Sequence, residues 1–292
     1  MLTQLFGNYL LRQHLVSPSH LIEALRNATA TRVKLGVLAI NAGLMTAEQV
    51  ENVHEIQKTM DKRIGDIMVE QGYMTGEQVV TLLKSQKSGH LVLGQALIDN
   101  GHMTTAQFAN ALKNFKLENN ITDDDFSDIR DEVTDKMLSR FYKLNDQISN
   151  QHHLVEYVSL LFKNLIRFVG DDFIPSKIER ITGDAQGAQQ RIKSGLSAIT
   201  MIDSDEATIM EFAARFANEE LTVNDDYTKA CVSEFLNLHN GLFAVKLSVT
   251  EGIELELEPQ QYYDHLSLSQ KGTLFVFPVD YTFGTINFIV CI

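Results

Sequence analysis

Cysteine is nearly absent from this 292-residue sequence, which holds only Cys231 and Cys291. Two cysteines cannot build a disulfide framework, and they match no metal-ligand spacing. The expected compartment is therefore the reducing cytosol, with a cytoplasmic protein. Long apolar runs are missing as well. No stretch approaches the length that spans a bilayer, and the short apolar patch in MLTQLFGNYLLRQHL belongs to a repeat, so neither membrane insertion nor a secretory leader is expected. No Gly-x4-Gly-Lys-Ser/Thr loop occurs, which excludes a P-loop ATPase. Basic residues are scarce in the second part of the chain. Residues 1–115 carry 10 Lys/Arg and 9 Asp/Glu, whereas 116–292 carry 15 and 29, a balance of 15 − 29 = −14. That acidic half argues against nucleic acid as a partner.

What the sequence has instead is an internal repeat. Gly7, Gly36, Gly65 and Gly94 stand 29 residues apart, each after Leu, Ile or Phe. Seven residues on comes His14, Gly43, Gly72 or Gly101, then Ser17, Thr46, Thr75 or Thr104, and three further His20, Gln49, Gln78 or Gln107. A fixed period of this size signals stacked supersecondary units. Each copy reads as two short helices. The second glycine suits a left-handed helix end, and the hydroxyl with its glutamine forms a capping box for the next helix. Pro18 falls at the first helical position, where a missing N–H is harmless. Helices this short need packing between copies to persist.

After Phe115 the pattern changes. Phe126, Ile129, Val133, Met137, Phe141, Leu144 and Ile148 trace one helical stripe, read as a linker over 116–150. A helix is expected over 153–169, strands over 176–184 and 189–202, a helix from Ser204 to Asn218, and a long helix over 225–249. Strands are expected over 253–257, 272–279 and 282–291, the last an exposed edge open to a second copy. Helices with mostly antiparallel strands define an α+β domain.

The long helix carries the sharpest local feature. Glu234 and Asn237 lie three apart and share a face. A carboxylate beside an amide can hold a cation with one group and orient a water with the other. Gly241 in the helix interior costs about 1 kcal/mol relative to Ala, so close approach by another element is expected there.

The spacing Glu234-x2-Asn237-x21-Pro259, with helix before and strands after, resembles the CheC/CheX family of chemotaxis phosphatases, and the CheX branch most. Ala230 occupies the position where that family has Asp or Ser, and Leu242 follows the glycine where it often has Asn. The resemblance covers about residues 150–292. It implies removal of phosphate from the aspartyl-phosphate of a CheY-like receiver domain. Glu234 would contact the receiver's active-site lysine, and Asn237 would position the attacking water. The receiver would supply its own Mg²⁺, so no metal and no cofactor are expected of this chain. The resemblance also implies a homodimer.

The repeat resembles the MshEN domain of type II secretion and pilus ATPases. That motif runs Arg-Leu-Gly-x2-Leu-x3-Gly-x-Ile-x4-Leu-x3-Leu-x2-Gln over 24 residues with a five-residue spacer, giving the same period. The resemblance implies a cyclic di-GMP site built from Lys34, Leu35, Gly36 and Gln57 of copy two and Arg63, Ile64, Gly65 and Gln86 of copy three. Lys34 departs from the usual Arg, and Ala39 and His54 stand at leucine positions.

The reading is thus a two-domain chain. Residues 1–115 form an all-α helical-repeat region, 116–150 a helical linker, and 151–292 an α+β CheX-like phosphatase domain of two-component signalling. The alternative is a non-catalytic adaptor or scaffold that binds a receiver or a pilus or secretion component.

Overall fold

The structure, a computed structural model, describes residues 1–84, 88–121, 131–142, 151–178, 184–267 and 274–292. It divides into two compact units, residues 2–133, and residues 134–292 together with Met1.

In the first unit eight α-helices are described, with a short 3-10 turn at Ala28–Ala30 after the second. They are α1 (Leu2–Arg12), α2 (Pro18–Asn27), α3 (Leu35–Asn41), α4 (Ala47–Thr59), α5 (Ile64–Glu70), α6 (Gly76–Lys84), α7 (Gly89–Asp99) and α8 (Thr105–Asn119). The repeat grammar is realised. Gly43, Gly72 and Gly101 sit at φ +67, +71 and +73°, and His14 takes the same left-handed conformation at +54°. The hydroxyls of Thr46, Thr75 and Thr104 each accept from the backbone N–H of the glutamine three residues on, and that glutamine's side chain accepts from the hydroxyl residue's own N–H.

The leading glycines have a packing role. A Cβ on Gly36 would come 2.6 Å from Val50, one on Gly65 3.1 Å from Val79, and one on Gly94 2.1 Å from Phe108. The blocking residue is always 14 positions on, in the second helix of the same copy. The glycine therefore lets the two helices of a repeat touch. The copies do not form an open stack. Phe6 of copy one packs edge-on against Phe108 and Phe115 of copy four, Arg12 pairs with Glu118, and copy four also holds Lys34 of copy two through Asp99.

Helix α9 (Asp131–Phe141) crosses the boundary at 133/134, and α10 (Gln151–Phe168) follows within the second unit. Met137 of the expected linker stripe is buried on α9. Phe126, Ile129, Leu144 and Ile148 lie outside the described residues. Then come β1 (Phe173–Pro175), β2 (Asp184–Lys193), β3 (Ala198–Asp203), α11 (Glu206–Ala217), α12 (Asp226–Glu251), β4 (Glu256–Leu257), β5 (Gln261–Ser267), β6 (Leu274–Tyr281) and β7 (Gly284–Cys291). All described pairings are antiparallel, in the order β1-β6-β7-β3-β2-β4, with β5 also on β2.

Four expectations need correction. The segment read as one strand over 189–202 is the end of β2 and the start of β3, split by a turn at Ser194 and Gly195, whose φ values are +60 and +51°. The helix expected from Ser204 is capped by Asp205, which accepts from the N–H of Thr208, while the Ser204 hydroxyl donates to the Thr285 carbonyl. The strand expected over 253–257 pairs only at 256–257. The ladder on β2 stops at Pro259, which has no N–H to give, and resumes as β5, a polar strand without an apolar signature. Finally, β7 is no edge. It lies between β6 and β3, both of which take its backbone groups, so pairing of two copies through 282–291 is excluded.

The helices α10, α11 and α12 cover one face of the sheet. Phe212 of α11 and Phe235 of α12 pack on each other and on Phe288 of β7. On the opposite face Ala185, Met201, Val276 and Ile289 form a second buried cluster. Among the described residues no helix is long and apolar enough to cross a membrane.

Candidate functional site

The site is built on α12. Asp225 caps its start by accepting from the N–H groups of Tyr227 and Thr228, and the left-handed Gly252 ends it. Between these ends the helix sorts its residues by face. Val232, Phe235, Leu236, His239, Asn240, Phe243 and Leu247 are buried against the sheet and the neighbouring helices. Ala230, Glu234, Leu242, Val245 and Val249 are exposed, and Asn237, Leu238 and Gly241 between them are half-buried. One continuous outward face thus carries the acid and amide pair at one end and an apolar stripe at the other.

Glu234 and Asn237 are brought together. The Asn237 amide nitrogen lies 3.5 Å from a Glu234 carboxylate oxygen, and the Gln260 amide lies 3.4 Å from the same oxygen. Beneath them is a buried polar chain. Gln190 of β2 donates to the Asn237 side-chain oxygen at 2.8 Å and to the Glu258 carbonyl at 2.9 Å. Asn240 donates to the Gln190 side-chain oxygen and to the Thr200 hydroxyl, both at 2.8 Å, and Tyr157 of α10 donates to the Asn240 oxygen at 2.9 Å.

Two backbone carbonyls fix the polarity of this chain. The Glu258 carbonyl can only accept, so the Gln190 nitrogen faces it and Asn237. The Gln190 carbonyl takes the Thr200 hydroxyl proton, so that hydroxyl accepts from Asn240. Asn237 is therefore held through one lone pair of its oxygen. One N–H is turned to Glu234, and its other N–H and a second lone pair of the oxygen remain for a visitor. The segment around Pro259 supplies both the Glu258 carbonyl and Gln260, which gives the x21 spacing a physical meaning.

Beside the pair opens a cleft of about 830 Å³ lined by Tyr227, Lys229, Cys231, Glu234, Gln260 and Tyr262, among others. Lys229 pairs with Asp264 at 2.8 Å and sits 5.3 Å over the Tyr262 ring. Burial pushes the Tyr262 hydroxyl up to about 12, so it is a neutral donor at physiological pH. Gly241 differs from expectation, since a Cβ built there would have nothing within 4 Å. Among the described residues, no other element approaches it.

In the repeats, Lys34 and Arg63 are exposed at the starts of α3 and α5. The Lys34 ammonium binds Asp99 at 2.6 Å, and its backbone N–H donates to Gln95. Leu35 is buried, and Ile64 is half-buried. Gly36 and Gly65 are covered by Val50 and Val79, and Gln57 donates to the Lys62 carbonyl. Gln86 lies outside the described residues.

Gln190, Asn240, Gln260 and Tyr157 were not legible as site residues. A signal existed for two of them. Gln190 interrupts an inward strand face between Ala188 and Ile192, and Asn240 sits on the buried side of an amphipathic helix. A polar residue at an apolar position implies a buried partner.

No family profile matches this sequence, and no curated protein matches it. Among solved structures, the C-terminal part resembles the chemotaxis protein CheX from Desulfovibrio desulfuricans, at 16% identity over 48% of this chain and 98% of that one, with a TM-score of 0.42. A CheC-like superfamily protein from Shewanella sp. PV-4 shows 18% identity over 48% of this chain and 96% of that one, with a TM-score of 0.41. A CheX–CheY–BeF3–Mg²⁺ complex from Borrelia burgdorferi shows 17% identity over 48% and 96%, with a TM-score of 0.40.

Proposed function

We propose that the second unit dephosphorylates the aspartyl-phosphate of a CheY-like receiver domain in a chemotaxis or related signalling pathway. The observation that carries this reading is the exposed Glu234 one helical turn from an Asn237 whose amide is anchored from below by Gln190. Phosphoryl transfer needs a placed water and compensated charge more than covalent help. The water's oxygen bonds to phosphorus as the acyl–phosphate bond breaks, its proton passes to solvent, and the products are the free carboxylate and inorganic phosphate. Asn237 holds that water, with its free lone pair accepting from it. Glu234 meets a cation of the visiting receiver. The Mg²⁺ that neutralises the phosphoryl oxygens belongs to the receiver, and this chain contributes positioning. Leu242 and Val245 continue the same face and give a partner apolar surface to bury.

The test is to mix the protein with phosphorylated receivers and follow phosphate loss for wild type and Asn237→Ala. Acceleration by wild type that the substitution removes supports the reading. Binding without acceleration in either protein leaves the adaptor role.

The repeats enter as a regulatory module. A cyclic di-GMP ligand on them has to displace Asp99 from Lys34 and rely on the exposed Arg63. Calorimetric titration of cyclic di-GMP into wild type and Arg63→Ala decides this, since saturable binding unaffected by the substitution rejects the site.

A further inference from the structure

Two histidines and two glutamates meet where the start of α10 lies beside the end of α12. The His152 Nε2 is 3.8 Å from Oε1 of Glu156 and 3.7 Å from Oε1 of Glu251, and ligand atoms of the three residues all lie within 4.8 Å of one another. His153 Nε2 contacts the other oxygen of Glu251, Oε2, at 3.0 Å. Ligands around a tetrahedral ion with bonds of about 2.0–2.2 Å stand roughly 3.3–3.6 Å apart. Small side-chain adjustments therefore close the cluster on an ion. His152 and Glu156 are one turn apart on one helix, so their side chains converge without backbone movement.

Two further observations point to a ligand. Glu156 is only 8% exposed, and its Oε2 has no hydrogen-bond partner among the described residues. A buried carboxylate oxygen left unpaired is costly unless something completes it. Glu251 is already oriented as a ligand should be, with one oxygen anchored by His153 and the other turned to His152. It is also the last residue of α12, where the negative helix end favours a cation and offsets the positive start of α10.

We propose that His152, Glu156 and Glu251 bind a divalent transition-metal ion of the zinc type, with His153 as the group that orients Glu251. One imidazole and two carboxylates suit that class. The ion staples α10 to α12 about 21 Å along the helix from Asn237 (14 residues at 1.5 Å each). Lys246, whose ammonium is 3.0 Å from Glu156 Oε1, is the built-in competitor. It holds the same oxygen that faces His152, so the ion has to displace it, and its removal strengthens the site.

The experiment uses the full chain, stripped with a chelator and titrated with Zn²⁺ against a chromophoric chelator, with thermal unfolding in parallel. The expected result is one ion per chain whose binding raises the unfolding midpoint of the second unit. His152→Ala, at a side chain 73% exposed and so neutral to folding, and Glu251→Gln each weaken binding at least tenfold and abolish the shift. Lys246→Met tightens it several-fold. Zn²⁺ binding of unchanged stoichiometry and affinity in both His152→Ala and Glu251→Gln overturns the proposal, as does a wild type that binds no Zn²⁺. Neither readout involves a receiver, so failure here is separable from failure of the phosphatase reading.

Discussion

Gln190 on β2 donates to the side-chain oxygen of Asn237 on α12 across 2.8 Å, and the sheet thereby sets the orientation of a surface amide. Most exposed asparagines rotate freely. This one is tied through Gln190 to Asn240, Thr200 and Tyr157, all buried.

That tie separates positioning from binding. Asn237→Ala is expected to lower receiver dephosphorylation about 100-fold or more, the scale of removing one placed polar group from a transition state. Gln190→Met leaves the Asn237 side chain in place but unanchored. It should lower the rate by a smaller factor with receiver affinity unchanged, and cost about 1–3 kcal/mol of stability through the partners it orphans. Phosphate release and a binding isotherm on both variants check this. A folded Gln190→Met protein with the full wild-type rate would contradict the positioning role.

Gly241 gives a prediction of opposite sign for fold and function. Among the described residues, nothing beyond its own helix backbone and chain neighbours lies within 4 Å of its missing Cβ, so Gly241→Ala should stabilise the second unit by about 1 kcal/mol. The same methyl lies on the outward face with Leu242 and Val245, where a docked partner comes close. Urea unfolding should improve while receiver affinity falls, and Val245→Lys should lower affinity without changing stability. If Val245→Lys binds a receiver as wild type does, the docking face lies elsewhere.

The repeat glycines should behave in two groups. Gly94→Ala drives a methyl to within 2.1 Å of the Phe108 ring, and overpacking of this kind costs about 1–3 kcal/mol. Gly43→Ala meets no atom but must hold φ +67°, so its cost is the left-handed penalty alone, about 1–2 kcal/mol. The double substitution Gly94→Ala with Phe108→Leu should recover part of the first loss and nothing of the second. Thermal melts of the three variants measure this.

Acid should weaken both units. Burial pushes His90 of the first unit and His239 of the second down to about 3, far below the 6.5 of a free imidazole. His239 also accepts from the Asn164 amide on Nδ1, which requires that nitrogen unprotonated. The folded pKa of each lies below the unfolded one. The stability contributed by neutral imidazole is therefore complete above pH 6.5 and is lost as pH falls toward 3. Between about pH 6.5 and 4.5, above the carboxylate range, the slope should approach about 1.4 kcal/mol per pH unit for each histidine. Denaturant titrations of His90→Gln and His239→Gln should each flatten the acid limb of one unit.

Local grammar was legible in the sequence because it depends on neighbours along the chain. The capping boxes at Thr46, Thr75 and Thr104, the left-handed glycines that end the first helices, and the pairing of Glu234 with Asn237 on one face are all interactions within seven residues. The strands were read less well. The 189–202 segment hid a turn at Ser194–Gly195, and β5 is polar because it lies at a half-exposed edge, so neither gave an apolar alternation to find. The interior place of β7 could not be read at all, since strand order is set by which surfaces pack and not by any property of residues 284–291 alone.

By itself the sequence determined the repeat, the helices that carry it, and the acid and amide one turn apart, because short-range geometry follows from residue type and spacing. Only the tertiary structure decided that the leading glycines exist to admit Val50, Val79 and Phe108. It alone decided that Asn237 is held by a strand 47 residues away, and that His152, Glu156 and Glu251 converge on one point. Each of these depends on distances across the fold, which chain spacing does not encode.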